Sequence, residues 1–322
     1  MAGCYSSRPA DQALERAPVA ACPEAQPGPR AKWRHKWGSA AASSLIGQPH
    51  HAASDPVVNP GSDAIITAKF AYGTTSKDLE DEDVTLWMQA GPCTSWDRVA
   101  TARTDSDGRT QIQVPAKLIG RPGAYPFQLI VNGDHSRAYG TVFVVPPRAR
   151  AVIFDIDGTL TTSDAQLAKQ LALGDDPAAR PGSNTVAQQY ARAGYLLIYI
   201  TGRPYFLRES SRDWLRRHQF PRGVLVTTER LTDSRPSPQH VGKFKRRALE
   251  TLMRGSGLDV RYAFGNASTD VCAYAEAGIP PAVTYIVGKH GGDACGDHAP
   301  SQRLSDYRTF VAPGIEPDLA GR

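Results

Sequence analysis

Between residues 61 and 147, hydrophobic and polar residues alternate in short runs rich in β-branched and aromatic side chains. A period of two predicts strands with one buried face and one face in water. Turn sequences such as Asp105–Gly108 and Asn132-Gly133 separate the runs. The predicted strands are Ala64–Tyr72, Val84–Ala90, Thr110–Val114, Ala124–Val131 and Ala138–Val145. This pattern is typical of a small antiparallel β-sandwich of immunoglobulin-like size.

After Pro146-Pro147 the pattern changes to continuous apolar runs that alternate with amphipathic stretches. Such runs predict strands buried on both faces, and their alternation with helices predicts a doubly wound parallel sheet, an α/β fold, over residues 148–290. The predicted strands are Ala151–Ile156, Tyr195–Ile200, Val224–Thr228, Val260–Phe264 and Val283–Val287. The predicted helices are Asn184–Ala193, Tyr205–His218, Phe244–Met253 and Thr269–Ala277. Sites in such sheets lie beyond the carboxyl ends of the strands.

The two ends of the chain lack these patterns. Residues 1–60 are interrupted by prolines and predict a flexible leader, and residues 291–322 predict a polar tail. The leader contains one basic and aromatic segment, Lys32–Trp37. Its tryptophans could pack on the folded part as a strap, or lie at an anionic membrane surface.

The composition argues against several classes of protein, among them nucleic-acid-binding and transmembrane proteins. The chain has 322 residues and a net charge of +5, which is too small to indicate nucleic-acid binding. No apolar run approaches the roughly 18–20 residues of a transmembrane helix. Five cysteines without a CxxC pair predict neither a zinc site nor a disulfide framework, and Cys272 is expected to be a small core residue. Met1-Ala2-Gly3-Cys4 resembles the end of a bacterial lipoprotein signal. If Cys4 is lipidated, the protein lies outside the cytoplasm and the other four cysteines either pair or stay free; otherwise the protein is cytoplasmic.

Candidate chemistry begins at the end of the first buried strand, with Asp155 and Asp157. Residues two apart point to the same side of an extended segment, and Gly158 permits a sharp turn after them. One carboxylate could attack phosphorus while the other moves protons. Two acids this close also need a cation to hold both charges, or one of them is protonated.

Later strand ends add polar groups at the same predicted edge. Thr201 and Gly202 follow the second strand and could bond a phosphoryl group, and Lys243 or Lys245 could offset its charge. Asn266 and Asp270 follow the fourth strand and offer oxygen ligands to Mg²⁺. Each signal alone is equally typical of a helix cap or a solvated surface. Their occurrence in order favours a phosphate site.

These motifs resemble the lipin-type phosphatidic acid phosphatase domain of the haloacid dehalogenase superfamily, through Phe154–Asp164 and Phe264–Pro280. Gly194–Pro204 and Trp214–Val224 are similar to the C-terminal domain of membrane-associated phosphatidylinositol transfer proteins. The resemblance to lipins implies Asp155 as nucleophile, Asp157 as general acid–base, and a phosphate site formed by Thr201, Gly202 and Lys245. It also implies Mg²⁺ held by Asp155, Asp157, Asn266 and Asp270.

The leading hypothesis is therefore a Mg²⁺-dependent phosphatase that hydrolyses phosphatidic acid to diacylglycerol and phosphate at a membrane surface. Two alternatives stay open: a non-catalytic module that binds phosphatidic acid or phosphoinositides, and a phosphatase of small soluble phosphomonoesters. Retention of Asp155 and Asp157 favours an enzyme over a pure binder. Partners are expected to be phospholipids at a membrane surface, without nucleic acid and without a transmembrane helix.

Overall fold

The computed structural model describes residues 22–35, 38–39, 47–73, 76–162, 177–228 and 238–315. The chain divides into two compact units. The first comprises residues 1–147 with Pro204–Glu209, and the second comprises residues 148–203 and 210–322. Cys4 and Trp37, both singled out in the sequence, lie outside the described residues. No helix of the described part is long and apolar enough to cross a bilayer.

The first unit is a β-sandwich, as the alternating pattern predicts. One sheet has the order β1-β3-β8, a second has the order β2-β10-β9-β6-β7, and β4 and β5 form a short hairpin. Within the described residues the strand pairs of this unit are antiparallel, except that of β2 with β10, which is parallel. The strands are β1 (Ala52–Ala53), β2 (Val57–Val58), β3 (Ala64–Lys69), β4 (Ala71–Tyr72), β5 (Lys77–Asp78), β6 (Asp83–Gln89), β7 (Trp96–Arg103), β8 (Arg109–Val114), β9 (Gly123–Val131) and β10 (Arg137–Val144).

The sandwich differs from the sequence prediction at two places. β1 and β2 precede residue 61, so part of the segment assigned to the leader belongs to the sheets. β7 was not predicted, and none of its residues is buried. It pairs with β6 at the edge of the five-stranded sheet, and an edge strand needs little apolar patterning.

The basic and aromatic segment packs as a strap at its described end. Trp33 lies against the hydrophobic core of the sandwich. Its ring covers Gly133, where an added Cβ atom would clash with the indole. The backbone amides of Arg34 and His35 donate to the carboxylate of Glu82. Of the two interpretations of this segment, packing against the folded part as a strap is therefore the one that holds for Trp33.

His51 is buried in the sandwich and cannot accept a proton easily. Its Nδ1 accepts from the Ala71 amide at 3.3 Å, so Nε2 carries the hydrogen and donates to Ser136 Oγ at 2.8 Å. Burial lowers the pKa of His51 to about 3, although the charge of Asp134 acts in the opposite direction. The native state therefore holds this imidazole in its neutral form.

We expect this histidine to make the sandwich acid-sensitive. Below a pH of about 6.5 His51 is protonated in the unfolded chain, whereas in the native state it stays neutral until about pH 3. The free energy of unfolding therefore decreases as the pH is lowered from about 6.5 to about 3. The slope from one such group is at most about 1.4 kcal/mol per pH unit. Urea unfolding across this range, compared between wild type and His51→Gln, measures it. Parallel pH profiles for the two proteins would contradict the assignment.

The second unit is an α/β fold around a six-stranded sheet with the order β13-β12-β11-β14-β15-β16. The pairs of β11 with β12 and β14, and of β15 with β14 and β16, are parallel, as the apolar runs predict. The strands are β11 (Arg150–Asp155), β12 (Leu196–Pro204), β13 (Val224–Thr228), β14 (Asp259–Gly265), β15 (Thr284–Val287) and β16 (Gln302–Leu304). The helices are α1 (Ser183–Arg192), α2 (Arg208–Arg217), α3 (Pro238–Ser256) and α4 (Ser268–Glu276).

Residues beyond 290 complete this sheet and its core. β16 pairs with β15, with Leu304 opposite Val287. Leu304, Tyr307 and Ala312 are buried in the same cluster as the central strands. The segment expected as a polar tail therefore contributes to the α/β core, because a few apolar side chains at wide spacing reach it from an otherwise polar stretch.

Two disulfides join the four cysteines of the described residues. Cys22 is bonded to Cys93 and Cys272 to Cys295, with Cα–Cα distances of 5.1 and 5.0 Å. The sequence prediction of no disulfide framework is therefore wrong, and Cys272 is not a free core residue. The pairs span 71 and 23 residues, so only the folded chain brings their members together.

Candidate functional site

The site lies where three neighbouring strands end. β11 is flanked by β12 and β14, and Asp155 at its end is paired with Ile200. Thr201 follows Ile200 within β12, and Asn266 follows the last residue of β14. Because carboxyl ends of parallel strands share one edge, these side chains from distant parts of the sequence meet there.

A tight turn after β11 fixes the first acid. Gly158 has a φ of 74°, a conformation that favours glycine, and the chain reverses there. Thr159 Oγ1 then donates to Asp155 Oδ2 at 2.9 Å and to Asn266 Oδ1 at 3.1 Å. Arg180 supports the turn from outside by donating to the Gly158 carbonyl at 2.7 Å.

Lys245 links two buried acids. α3 brings its Nζ to 2.6 Å from Asp155 Oδ1 and 2.5 Å from Asp270 Oδ1. The three side chains are 5% exposed or less. Lys243, two residues earlier on the helix, is exposed. Of the two lysines considered from the sequence, Lys245 is therefore the one in the cluster.

Asp270 also closes the loop that precedes its own helix. Its Oδ2 accepts from the amides of Asn266 and Ala267 at 3.0 and 3.1 Å. Gly265 makes room for this carboxylate, since a Cβ atom there would lie 2.6 Å from Asp270 Cβ. The conformation of the loop that carries Asn266 is therefore fixed by the Asp270 carboxylate, which packs against Gly265.

Asp157 is held by an arginine that the sequence analysis left without a role. Arg203 Nε and Nη2 donate to Asp157 Oδ1 at 3.1 and 3.0 Å, and Arg203 Nη1 donates to Ser211 Oγ at 2.7 Å. Thr201 Oγ1 donates to Asp157 Oδ2 at 2.6 Å. The guanidinium is almost fully buried. Such a two-pronged ion pair fixes the carboxylate in one orientation. The motif Thr201-Gly202-Arg203 was the available signal for Arg203.

Burial is the largest influence on the pKa of Asp155. Desolvation, together with the charges of Asp270 and Asp157, raises the pKa of Asp155 to about 8 in spite of the adjacent Lys245. The attraction of both carboxylates outweighs burial for Lys245 and raises its pKa. The raised pKa favours the protonated form of Asp155, and a protonated carboxyl is a poor nucleophile.

We tested whether these residues fit the Mg²⁺ expected from the motifs. Carboxylate and amide oxygens suit Mg²⁺, yet all six carboxylate oxygens of Asp155, Asp157 and Asp270 accept from protein donors. Lys245 bridges two of these acids. Among the described residues, no group of three or more His, Cys, Asp or Glu is arranged to hold a metal ion. As placed, the residues do not fit a bound metal, and Mg²⁺ stays a prediction.

The remaining predicted residue is Gly202. It lies within β12 between Thr201 and Arg203, where a Cβ atom would meet Val241 of α3 at 3.1 Å. Its absent side chain lets the lysine-bearing helix approach the strand. The structure thus brings together the predicted residues Asp155, Asp157, Thr201, Lys245, Asn266 and Asp270, and adds Thr159 and Arg203.

Comparison with known families matches both units. Residues 152–288 match the LNS2 domain of PITM 1-3, and residues 49–144 match the PITM 1-3 beta-sandwich domain. Protein retinal degeneration B of Drosophila melanogaster is 32% identical over 295 residues, covering 91% of this chain and 21% of that protein. Membrane-associated phosphatidylinositol transfer protein 1 of Rattus norvegicus is 33% identical over 263 residues, covering 81% and 20%. Human membrane-associated phosphatidylinositol transfer protein 3 is 28% identical over 294 residues, covering 91% and 28%. The chain thus spans about a fifth of the length of the first two.

These relatives correct the expectation of an enzyme. The rat and human relatives are named as phosphatidylinositol transfer proteins, which points to a non-enzymatic role, so the prediction of a phosphomonoester hydrolase is wrong. The geometry of the site agrees with this correction, because Lys245 contacts Asp155 and Arg203 contacts Asp157. Retention of both acids misled the sequence analysis, because their partners are not visible in a motif. Residues 49–144 and 152–288 are thus similar to the beta-sandwich and LNS2 domains of PITM 1-3, and through both matches the chain is related to the membrane-associated phosphatidylinositol transfer proteins.

Proposed function

We propose that this chain is a lipid-binding module that associates peripherally with membranes and recognises a phosphomonoester headgroup, as in phosphatidic acid or a phosphoinositide, without hydrolysing it. The observation that carries the proposal is the polar cluster at the sheet edge, in which each acid has a protein donor. The relationship to phosphatidylinositol transfer proteins supports a phospholipid as ligand. The motifs at the strand ends support a haloacid dehalogenase-like arrangement of the α/β domain.

The donors of the cluster suit a phosphate group. Lys245, Arg203 and the Thr201 hydroxyl converge on one edge and are already oriented by the carboxylates they contact. A phosphate group at this edge would find these hydrogen-bond donors already in place. Their side chains then lose little conformational entropy on binding, which favours affinity. The acids then act as the groups that hold these donors in place.

The test is vesicle co-sedimentation combined with phosphate release. We expect binding to phosphatidylcholine vesicles that contain phosphatidic acid or a phosphoinositide, weaker binding when phosphatidylserine supplies the same charge, and no phosphate release in any case. Thr201→Val removes one donor without changing side-chain shape and should weaken binding about tenfold. Thr227→Val, at a buried position in β13, is the matched control and should bind like wild type.

Two outcomes would contradict the proposal. Equal binding to phosphatidylserine and phosphatidic acid would mean that the protein responds to surface charge and not to a phosphomonoester. Release of phosphate by the wild type, lost in Asp155→Asn, would mean that the site turns over its ligand.

A further inference from the structure

The two disulfides lie in parts of the structure that other contacts already fix. Near Cys22, the Trp96 indole donates to the Pro23 carbonyl at 2.6 Å, and Arg137 Nη2 donates to the Ala25 carbonyl at 3.0 Å. The Ala25 amide donates to a side chain of β9 as well. These bonds hold Cys22 beside the turn that contains Cys93, so the pairing does not rest on the two sulfur atoms alone.

The backbone at Cys93 supports the same pair. Cys93 has a φ of 61°, in the left-handed region where residues other than glycine, asparagine and aspartate are uncommon. A side chain kept there against its conformational preference points to a role. The bond to Cys22 is such a role, and the two Cα atoms lie 5.1 Å apart, within the usual range for a disulfide.

The second disulfide adjoins the polar cluster. Cys272 lies two residues after Asp270 on α4, and Cys295 lies in the loop between β15 and β16. That loop is closed by its own bonds: the Ser301 amide donates to the Asp293 carbonyl at 2.9 Å, and the His298 amide donates to the Cys295 carbonyl at 3.0 Å. The cross-link therefore attaches the helix that carries Asp270 to an internally bonded loop.

We infer that both pairs are oxidised in the mature protein, that the chain reaches its native fold in an oxidising compartment outside the cytoplasm, and that Cys272–Cys295 positions α4 and thereby Asp270. Stable structural disulfides are rare where glutathione and thioredoxin keep thiols reduced. Each bond forms as two thiols exchange in turn with the disulfide of a thiol oxidoreductase, which takes up the two electrons and two protons and leaves as a dithiol. The positioning part of the inference rests on the proposed headgroup site.

The compartment is tested on protein from its native cells. Thiols are blocked with an alkylating reagent at lysis, and the chain is digested without reduction and analysed by mass spectrometry. We expect two cross-linked peptide pairs, one with Cys22 and Cys93 and one with Cys272 and Cys295. Alkylated cysteines at these four positions would overturn the inference.

The positioning role is tested with matched variants. We expect Cys272→Ser and Cys295→Ser to speed amide hydrogen exchange in α4 about tenfold and to weaken binding to phosphatidic acid vesicles several-fold. Cys22→Ser and Cys93→Ser remove the other cross-link and should leave both quantities unchanged. Hydrogen exchange needs no ligand, so unchanged exchange in Cys272→Ser overturns the positioning role whether or not the proposed function holds. If exchange in Cys272→Ser is faster but wild type does not bind the vesicles, only the proposed function is contradicted.

Discussion

Lys245→Met is expected to destabilise the α/β unit by about 3–5 kcal/mol, because it leaves Asp155 and Asp270 buried together without their shared cation. Headgroup binding should be lost as well, since Lys245 is the buried amine of the cluster. Chemical denaturation gives the first quantity and vesicle co-sedimentation the second. Lys243→Met, on an exposed position of the same helix, should change stability by no more than about 0.5 kcal/mol.

A second variant separates stability from binding. In Lys245→Met/Asp270→Asn the uncompensated charge is removed, so much of the lost stability should return while binding stays absent. If the double variant is as unstable as the single one, the loss came from packing and not from charge. A Lys245→Met protein that unfolds like wild type would contradict the ion-pair argument altogether.

Gly265→Ala should be the most damaging small substitution in the loop of the cluster. The added Cβ would lie 2.6 Å from Asp270 Cβ and 2.9 Å from its Cγ, so β14 and α4 must separate at the point where Asn266 is held. Overpacking of this kind typically costs about 1–3 kcal/mol. We expect that loss in chemical denaturation, together with weaker headgroup binding.

A glycine-to-alanine change at Gly242 in α3 serves as the matched control for Gly265→Ala. At Gly242 the added Cβ would meet Thr269 at 3.7 Å, an ordinary contact, and alanine favours a helix by about 1 kcal/mol over glycine. Gly242→Ala should therefore be as stable as wild type or more so. Equal stability of Gly265→Ala and wild type would show that Asp270 does not need the space above Gly265.

The central strands were predictable because each is an uninterrupted apolar run, and β13 has the predicted bounds Val224–Thr228. β7 was missed because it lies at a sheet edge with no buried residue. β16 was missed because Leu304 is the only buried residue of its three. Neither strand carries the periodic signal on which sequence interpretation depends.

The site was predictable where its residues lie at or just beyond a strand end, as Asp155 and Asp157 do at the end of β11. Arg203 lies within the predicted motif Gly194–Pro204 but received no role, because its partner Asp157 is 46 residues away and only the pairing of β11 with β12 joins them. The disulfides depend in the same way on long-range contacts, and spacing alone cannot assign cysteine pairs. The enzymatic prediction failed for this reason: a motif shows which acids are present and not what neutralises them.

The contribution of residues beyond 290 has a practical consequence. The matched LNS2 region ends at residue 288, whereas β16 pairs with β15, and Phe310 packs edge-on against Phe264 at a ring-centroid distance of 5.5 Å. A protein shortened to the family boundary would leave β15 as an open edge and uncover aromatic surface beside it. Unprotected edges of this kind pair with strands of other molecules. Such a truncated domain would self-associate and aggregate, and recombinant versions should extend past Ala312, which is buried in the same core.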